Sequence, residues 1–246
     1  MADRQDANKI HGKIIICTYP KPEPDDFAIL LEQSGATVYS MPAIEIQPCS
    51  YHLDQNVSNY QWLVFTSKNG VRSFAAELKK LDFNKIAVLG EGTAFELHKL
   101  NIEPDYIGTG RSGSDFAEEL KQVFKPNESV LLLLGELAPD TIQTKLSATH
   151  LVERINVYQT KRPEVWSREC LKLIEENLYD LMIISSPSAI KNLYLALQPK
   201  NIDWRIISIG KTTTAACREL QIEPLATAKE ATYIGLAETT IEFLQH

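Results

Sequence analysis

Four short segments of this 246-residue chain place hydroxyl side chains directly after apolar runs. In a parallel α/β sheet such positions lie at the carboxyl ends of strands, where helix N-termini offer free backbone N–H groups and a dipole that favours anions. These segments predict a site for a ligand with several anionic groups, held mainly by neutral donors. The four segments are residues 66–69 (TSKN), 90–93 (GEGT), 185–188 (SSPS) and 210–214 (GKTTT).

Serine and threonine also have an ordinary structural use at these positions. Their side-chain oxygens cap helix N-termini in any α/β protein, and for one segment alone this interpretation is favoured. The presence of four segments in matched pairs shifts the balance modestly towards a binding site. None of the four is a P-loop or a complete GxGxxG, and the chain has no GxSxG, so they do not indicate a nucleotide site or a serine hydrolase.

Two of the segments repeat the other two at a nearly constant separation along the chain. Ser67 matches Ser186 at a distance of 119 residues, and Thr93 matches Thr213 at a distance of 120. The tripeptide Ile-Glu-Pro that begins at Ile102 also recurs 120 residues later. A repeat of this length is too long for a solenoid unit and indicates a whole domain used twice.

Apolar β-rich runs alternate with amphipathic stretches of helix length. This alternation predicts parallel sheets covered by helices on both faces, and thus an α/β protein of two similar, flavodoxin-like domains. The predicted strands are 13–18, 36–40, 62–66, 85–89, 105–107, 129–134, 151–157, 180–185, 204–209 and 224–226. The predicted helices are 24–34, 69–80, 92–100, 113–124, 138–147, 166–177, 187–197, 212–220 and 232–244.

The repeat also predicts the domain boundaries. The copy around Ser67 has a full set of strands, whereas the copy around Ser186 lacks its opening strands, which residues 12–40 can supply. We therefore expect residues 43–160 to form a domain inserted into a discontinuous domain of residues 1–42 plus 161–246. The two crossings between the domains are β-prone, so they could pair as a two-stranded β-ladder hinge beside an interdomain cleft that holds the active site.

Tyr158 lies at the predicted return crossing. A phenol there could donate a proton or orient a water molecule, but an aromatic ring that simply fills the hinge is an equally good interpretation. Several cations are also expected near the cleft, and each alone is more typical of a solvated surface charge. They are Lys68, Lys161, Arg162, Lys191 and Lys211.

Charge and composition argue against several function classes. The net charge of −7 and the lack of basic runs do not favour non-specific binding to nucleic acid or to an anionic membrane surface. The chain shows no apolar signal-peptide core and no apolar run of about 18 residues. Its four cysteines and five histidines have no metal-ligand spacing. We therefore expect a cytoplasmic protein with buried, reduced thiols, no metal, and, without a heptad pattern, a monomeric state.

In their order along the chain, the motifs resemble those of the uroporphyrinogen-III synthase family. The resemblance covers nearly the whole sequence, and the ordered set is more specific than any one motif. The matching segments are 64–67 (VFTS) with Gly70-Val71, 89–90 (LG) with Thr93-Ala94, 157–160 (VYQT), 184–189 (ISSPSA), 209–213 (IGKTT) and 226–228 (ATA).

The resemblance implies an activity without a metal or organic cofactor. The family closes hydroxymethylbilane, a linear tetrapyrrole with eight carboxylates, into uroporphyrinogen III, inverting the last ring and releasing water. It also implies two α/β domains joined by a β-ladder hinge, and a role for Tyr158 in the loss of hydroxide. By the same resemblance the substrate carboxylates are held by Ser67, Thr93, Ser186, Ser188, Thr212 and Thr213.

Two positions at which many family members have a cation differ here. Tyr19 stands in a Thr-Tyr-Pro segment where Thr-Arg-Pro is common, and Pro139 lies near the position of a basic residue that follows a Gly-Glu pair. The last helix also opens differently, with Ala231-Thr232-Tyr233. A second hypothesis is therefore a non-catalytic, two-lobed α/β binding or regulatory module that keeps the fold.

Overall fold

A computed structural model describes residues 9–20, 26–53, 55–109, 112–198 and 201–245. The chain folds into two compact units. The inserted unit is Ile46–Thr160, and the outer unit comprises the residues up to Glu45 and those from Lys161 onwards. The predicted crossings lie after residues 42 and 160.

Strands and helices alternate along the chain, and each predicted element overlaps an observed one. The strands are β1 (Ile14–Cys17), β2 (Thr37–Ser40), β3 (Glu45–Pro48), β4 (Trp62–Phe65), β5 (Lys85–Leu89), β6 (Tyr106–Gly108), β7 (Ser129–Gly135), β8 (Leu151–Lys161), β9 (Leu181–Ile184), β10 (Ile206–Ser208) and β11 (Ala226–Thr227). The helices are α1 (Asp26–Gln33), α2 (Lys68–Leu78), α3 (Glu91–His98), α4 (Gly113–Val123), α5 (Thr141–Leu146), α6 (Arg168–Glu175), α7 (Pro187–Leu197), α8 (Lys211–Glu219) and α9 (Tyr233–Leu244).

The sheet of the outer unit has the order β11-β10-β9-β1-β2, and its pairings are parallel. Counted along this unit alone, the order is that of flavodoxin-like sheets. The predicted α/β class is therefore confirmed, and β1 and β2 supply the strands that the second copy lacks.

The sheet of the inserted unit has the order β3-β8-β7-β4-β5-β6. In the repeat, β4, β5 and β6 of the inserted unit correspond to β9, β10 and β11 of the outer unit. The strands β7 and β8 correspond to β1 and β2. The strands β3 and β8 are hydrogen-bonded neighbours, and the chain passes between the units within them. A hinge motion about this ladder stays a prediction.

Apolar residues fill both faces of each sheet. In β9, Leu181 and Ile183 pack in a core with residues of α1 and α9, whereas Met182 and Ile184 pack in a core with residues of α6, α7 and α8. Successive strand residues point to opposite faces, so a strand covered on both sides needs a continuous apolar run. This requirement explains why the strand sequences do not alternate between apolar and polar residues.

The pattern of buried and exposed positions repeats between the two units, as the sequence motifs do. Residues 62–70 and 181–189 have the same succession of buried and partly buried positions, and so do residues 91–100 and 211–220. Each unit therefore presents its two hydroxyl segments to solvent in the same way. Among the described helices, none combines the length and the apolar character that a membrane span requires.

A buried carboxylate joins the two helices that follow β4 and β5. Glu96 of α3 accepts from Arg72 of α2 at 2.7 Å and from Lys99 at 2.9 Å, and its side chain is 8% exposed. The hydrogen bond from Arg72 is the main cause that lowers the pKa of Glu96 to about 2, although burial acts in the opposite direction. The ionised form is therefore the one that stabilises the fold.

We expect this carboxylate to make stability depend on acid pH. Because the pKa of Glu96 is lower in the folded than in the unfolded chain, its contribution is complete above about pH 5 and is lost as the pH falls towards 2. Between pH 5 and pH 2, the unfolding free energy of the wild type should fall by about 2 to 3 kcal/mol more than that of the Glu96→Gln variant. Urea titration at each pH measures both values. Parallel pH curves for the two proteins would contradict this assignment.

Candidate functional site

The hydroxyl segments of the inserted unit lie side by side at the carboxyl edge of its sheet. Ser67 follows β4 and caps α2, because its Oγ accepts from the Gly70 N–H at 3.1 Å. Residues 90–93 follow the neighbouring strand β5. A Cβ atom on Gly92 would lie 3.9 Å from Lys68 Cδ, so the two segments are in close contact.

The outer unit repeats this arrangement. Ser186 follows β9 and caps α7 by accepting from the Ala189 N–H at 3.2 Å, with Pro187 in the first helical position. Ser186 and Ser188 are partly exposed, and Thr212, at the start of α8 after the neighbouring strand β10, is exposed. These three residues are therefore at least partly accessible to a ligand.

Thr93 and Thr213 occupy a different environment. The two residues are only 4% and 3% exposed, because the third residue of α3 and of α8 faces the sheet. The positions exposed to solvent in these first turns are the two residues before each threonine. Contact of the Thr93 and Thr213 hydroxyls with a substrate stays a prediction, and the burial favours the neighbouring backbone amides as donors.

Three hydroxyl groups hydrogen-bond to one another inside the outer unit. Thr214 Oγ1 lies 2.6 Å from Ser208 Oγ and 2.6 Å from Thr227 Oγ1. The corresponding residues of the inserted unit, 120 positions earlier, are Val88, Ala94 and Ile107. The two units therefore differ in their interior although their exposed turns correspond.

Tyr158 lies across the end of the neighbouring strand β7. Between β7 and β8 the register passes from Leu134 opposite Asn156 to Gly135 opposite Tyr158, so one residue of β8 bulges out. Such bulges re-aim side chains. A Cβ atom on Gly135 would lie 2.5 Å from Tyr158 Cζ, so the ring occupies the space that a larger residue would fill.

The hydroxyl of Tyr158 reaches the first segment. Its Oη lies 3.0 Å from Ser67 Oγ, and the Tyr158 side chain is partly exposed. The structure thus brings together two of the predicted site residues, which are 91 positions apart in the chain. The phenol lies at the N-terminus of α2, where the helix dipole favours a developing negative charge on its oxygen.

Arg154 braces the same strand end. From β8 its guanidinium donates to the Gly135 carbonyl at 3.2 Å and to Asp140 at 2.6 Å, and its side chain is 11% exposed. A cation is therefore present beside Pro139, at one of the positions where the sequence departs from the family pattern. Arg154 was not among the predicted site residues, because only the β7–β8 register shows where its side chain ends.

Tyr19, at the other position where many family members have a cation, belongs to the core. It is 3% exposed and makes edge contacts with Phe27 and Tyr233, at ring-centroid distances of 5.8 and 5.3 Å. An arginine at this position would have to bury its charge among aromatic rings. Tyrosine in place of arginine therefore suits the apolar surroundings of position 19.

A cavity of about 380 Å³ lies within the inserted unit. Thr66 and Leu134, at the ends of β4 and β7, line it together with Pro139 and Ile142. Its lining is mostly apolar and includes several hydroxyl-bearing residues, among them Ser112, which caps α4. Such a cavity can hold a flat apolar ring and leave polar substituents near helix N-termini.

One motif outside the four segments also matches a binding pattern. Residues 108–113 read GxGxxG between β6 and α4, although residues 110 and 111 lie outside the described part. The strand β6 is at the sheet edge, and a Cβ atom on Gly108 would lie 2.2 Å from Phe116. Helix packing thus accounts for the first glycine of this motif.

Three of the four cysteines are buried, and the expected burial is wrong for Cys49, which is partly exposed. Cys17, Cys170 and Cys217 are buried, and burial raises the pKa of the Cys217 thiol to about 11 and that of Cys170 above its usual value. The thiols of Cys170 and Cys217 are therefore protonated and weakly nucleophilic at neutral pH. No group of three or more His, Cys, Asp or Glu side chains in the described ranges is arranged to hold a metal ion.

Comparisons with known proteins show the family of the chain. A family model described as uroporphyrinogen-III synthase HemD matches residues 25–238. The uroporphyrinogen-III synthases of Chlorobaculum parvum and Synechococcus elongatus are each 25% identical to the chain; the matches cover 86% and 92% of it, and 91% and 93% of the relatives. The crystal structure of the Helicobacter pylori uroporphyrinogen-III synthetase superposes with a TM-score of 0.66 at 20% identity, covering 94% of this chain and 99% of that one, which shows a shared fold. The chain belongs to the uroporphyrinogen-III synthase family.

Proposed function

We propose that this protein is a uroporphyrinogen-III synthase, which closes hydroxymethylbilane into uroporphyrinogen III with inversion of the last pyrrole ring and release of water. The match of the family model over residues 25–238 carries the assignment. The accessible hydroxyls at helix N-termini support it, because the substrate has eight carboxylates and needs several separate donors.

The residue roles are part of the proposal. Ser186, Ser188 and Thr212 donate to substrate carboxylates, together with first-turn amides of α3 and α8. The cavity lined by Thr66 and Leu134 takes one pyrrole ring, because its lining is mostly apolar and includes hydroxyl-bearing residues. The enzyme contributes mainly by holding the flexible chain in the folded arrangement that leads to ring inversion.

Tyr158 provides acid assistance. The phenol gives its proton to the hydroxyl that leaves the terminal hydroxymethyl group, so that water departs and an azafulvenium cation remains. The substituted α-carbon of the last ring then attacks the electrophilic carbon from which water departed and gives a spiro intermediate. Reopening and closure of this intermediate invert the last ring. The proton lost when the last pyrrole regains aromaticity returns to the Tyr158 oxygen.

The reaction can be tested with a coupled assay. Hydroxymethylbilane is generated in situ from porphobilinogen, and the products are oxidised and separated into type I and type III isomers. We expect the type III isomer to dominate in the presence of the protein. Exclusive formation of the type I isomer, at the rate seen without the protein, would contradict the activity and favour the non-catalytic module.

We propose a cytoplasmic monomer that works without a metal or organic cofactor and has no nucleic-acid partner. The interdomain cleft and its hinge also stay predictions. Extensive dialysis against a chelator should leave the type III rate unchanged, and its loss, restored by a metal, would overturn the cofactor-free mechanism.

A further inference from the structure

The hydrogen-bonding capacity of Ser67 limits what this residue can do. A serine hydroxyl has one O–H donor and two acceptor lone pairs. Ser67 Oγ already accepts from the Gly70 N–H at 3.1 Å, and it lies 3.0 Å from Tyr158 Oη. One donor proton and one lone pair therefore remain for the contact with Tyr158 and for any ligand.

The direction of the hydrogen bond between the two hydroxyls decides the role of Ser67. If Tyr158 is to give its proton to a substrate oxygen, its O–H must point away from Ser67, and Ser67 must then donate to the phenol oxygen. A Ser67 that donates to Tyr158 has no proton left for a substrate carboxylate, which is only an acceptor. The acid role of Tyr158 and a carboxylate-binding role of Ser67 therefore exclude each other.

We propose that Ser67 is a positioning residue for Tyr158, in contrast to the carboxylate-binding role expected from the sequence. This inference rests on the proposed function. The serine is itself fixed, because capping α2 holds its Oγ at the helix N-terminus. After proton transfer its O–H and the α2 dipole together stabilise the phenolate.

The geometry around Tyr158 supports this role. The bulge in β8 turns the side chain towards β7, and Gly135 leaves room for the ring to cross. The ring is thus placed from one side by backbone contacts, and Ser67 fixes its polar end. Ser186, the counterpart of Ser67 in the outer unit, caps α7 in the same way, which shows that the capping bond alone does not require the tyrosine.

Steady-state kinetics of Ser67 variants separate the two roles. For Ser67→Ala we expect kcat to fall about tenfold, the effect of one lost hydrogen bond of ordinary strength, with KM within about twofold. Ser67→Thr keeps the hydroxyl and should restore most of kcat. In a Tyr158→Phe background, Ser67→Ala should have no further effect on kcat. A Ser67→Ala variant with raised KM and an unchanged kcat, or with its full effect in the Tyr158→Phe background, would overturn the proposal.

Two further measurements distinguish the proposed role of Ser67 from its role as a helix cap, and the second does not depend on catalytic activity. Ser167→Ala removes the cap of α6, where Ser167 Oγ accepts from the Cys170 N–H at 3.3 Å, and should lower the melting temperature comparably while kcat is retained. In protein labelled with ¹³C at tyrosine Cζ, the Tyr158 signal, identified by its loss in Tyr158→Phe, should shift in Ser67→Ala but hardly in Ser67→Thr. An unmoved signal would refute the hydrogen bond even if the wild-type protein makes no type III isomer.

Discussion

The Tyr158→Phe variant is expected to lower kcat for type III formation about 100-fold, the lower end of what a positioned general acid contributes. The phenylalanine ring can still lie across Gly135, so the fold and the substrate-binding turns should be retained. Only the hydroxyl that lies 3.0 Å from Ser67 Oγ is lost. Initial rates in the coupled assay measure the effect, with thermal unfolding as the check on folding.

A tyrosine elsewhere in the chain provides a matched control. Tyr194 of α7 packs against Trp204 with ring centroids 6.0 Å apart. Its replacement by phenylalanine should leave kcat within about twofold of wild type, because Tyr194 is a partly exposed residue outside the site. A Tyr158→Phe variant as active as Tyr194→Phe would remove Tyr158 from the acid role.

The Gly135→Ala variant should reduce kcat on the order of 10- to 100-fold, although Gly135 contributes no functional group. The added Cβ would lie 2.5 Å from Tyr158 Cζ and 2.7 Å from its Oη, so the ring must move. A displacement of about 1 Å at a reacting group can cost 100-fold in rate. The ring is the far end of a flexible side chain, so unfolding free energy should fall by only about 1 kcal/mol.

A double variant tests this explanation. If alanine at position 135 acts only by displacing the phenol, Gly135→Ala combined with Tyr158→Phe should have the same kcat as Tyr158→Phe alone. Full activity of the single variant Gly135→Ala would mean that the ring leaves the place seen in the structure during turnover. An additional loss in the double variant would mean that Gly135 acts on the substrate by another route.

The elements and the repeat were predictable because their causes are local. The apolar runs that form β4 and β9 are continuous in the sequence, and Ser67 and Ser186 each cap a helix through an N–H three residues later. Helix starts and buried strands depend on neighbours within one turn or one strand. The constant separation of about 120 residues then related the two halves without knowledge of the sheet order.

Burial of the site hydroxyls was less predictable. The sequence marks Thr93 and Thr213 as members of hydroxyl-bearing turns, as it does Ser67 and Thr212. The structure buries the first two and leaves Thr212 exposed, because consecutive residues of a helix point in directions about 100° apart. A shift of one residue in the helix start would reverse that assignment, and helix starts are read from sequence with an error of that size.

The sequence by itself determined the α/β class, the internal repeat, the turns that carry hydroxyls and the family resemblance. Only the tertiary structure decided that Tyr158 meets Ser67, that Gly135 makes room for the ring, and that Arg154 reaches the same strand end. These contacts join residues far apart in the chain and depend on the β7–β8 register, including its bulge. Because a slip of one residue in this register would turn the side chains of Tyr158 and Arg154 to the opposite face of the sheet, no local pattern could specify these contacts.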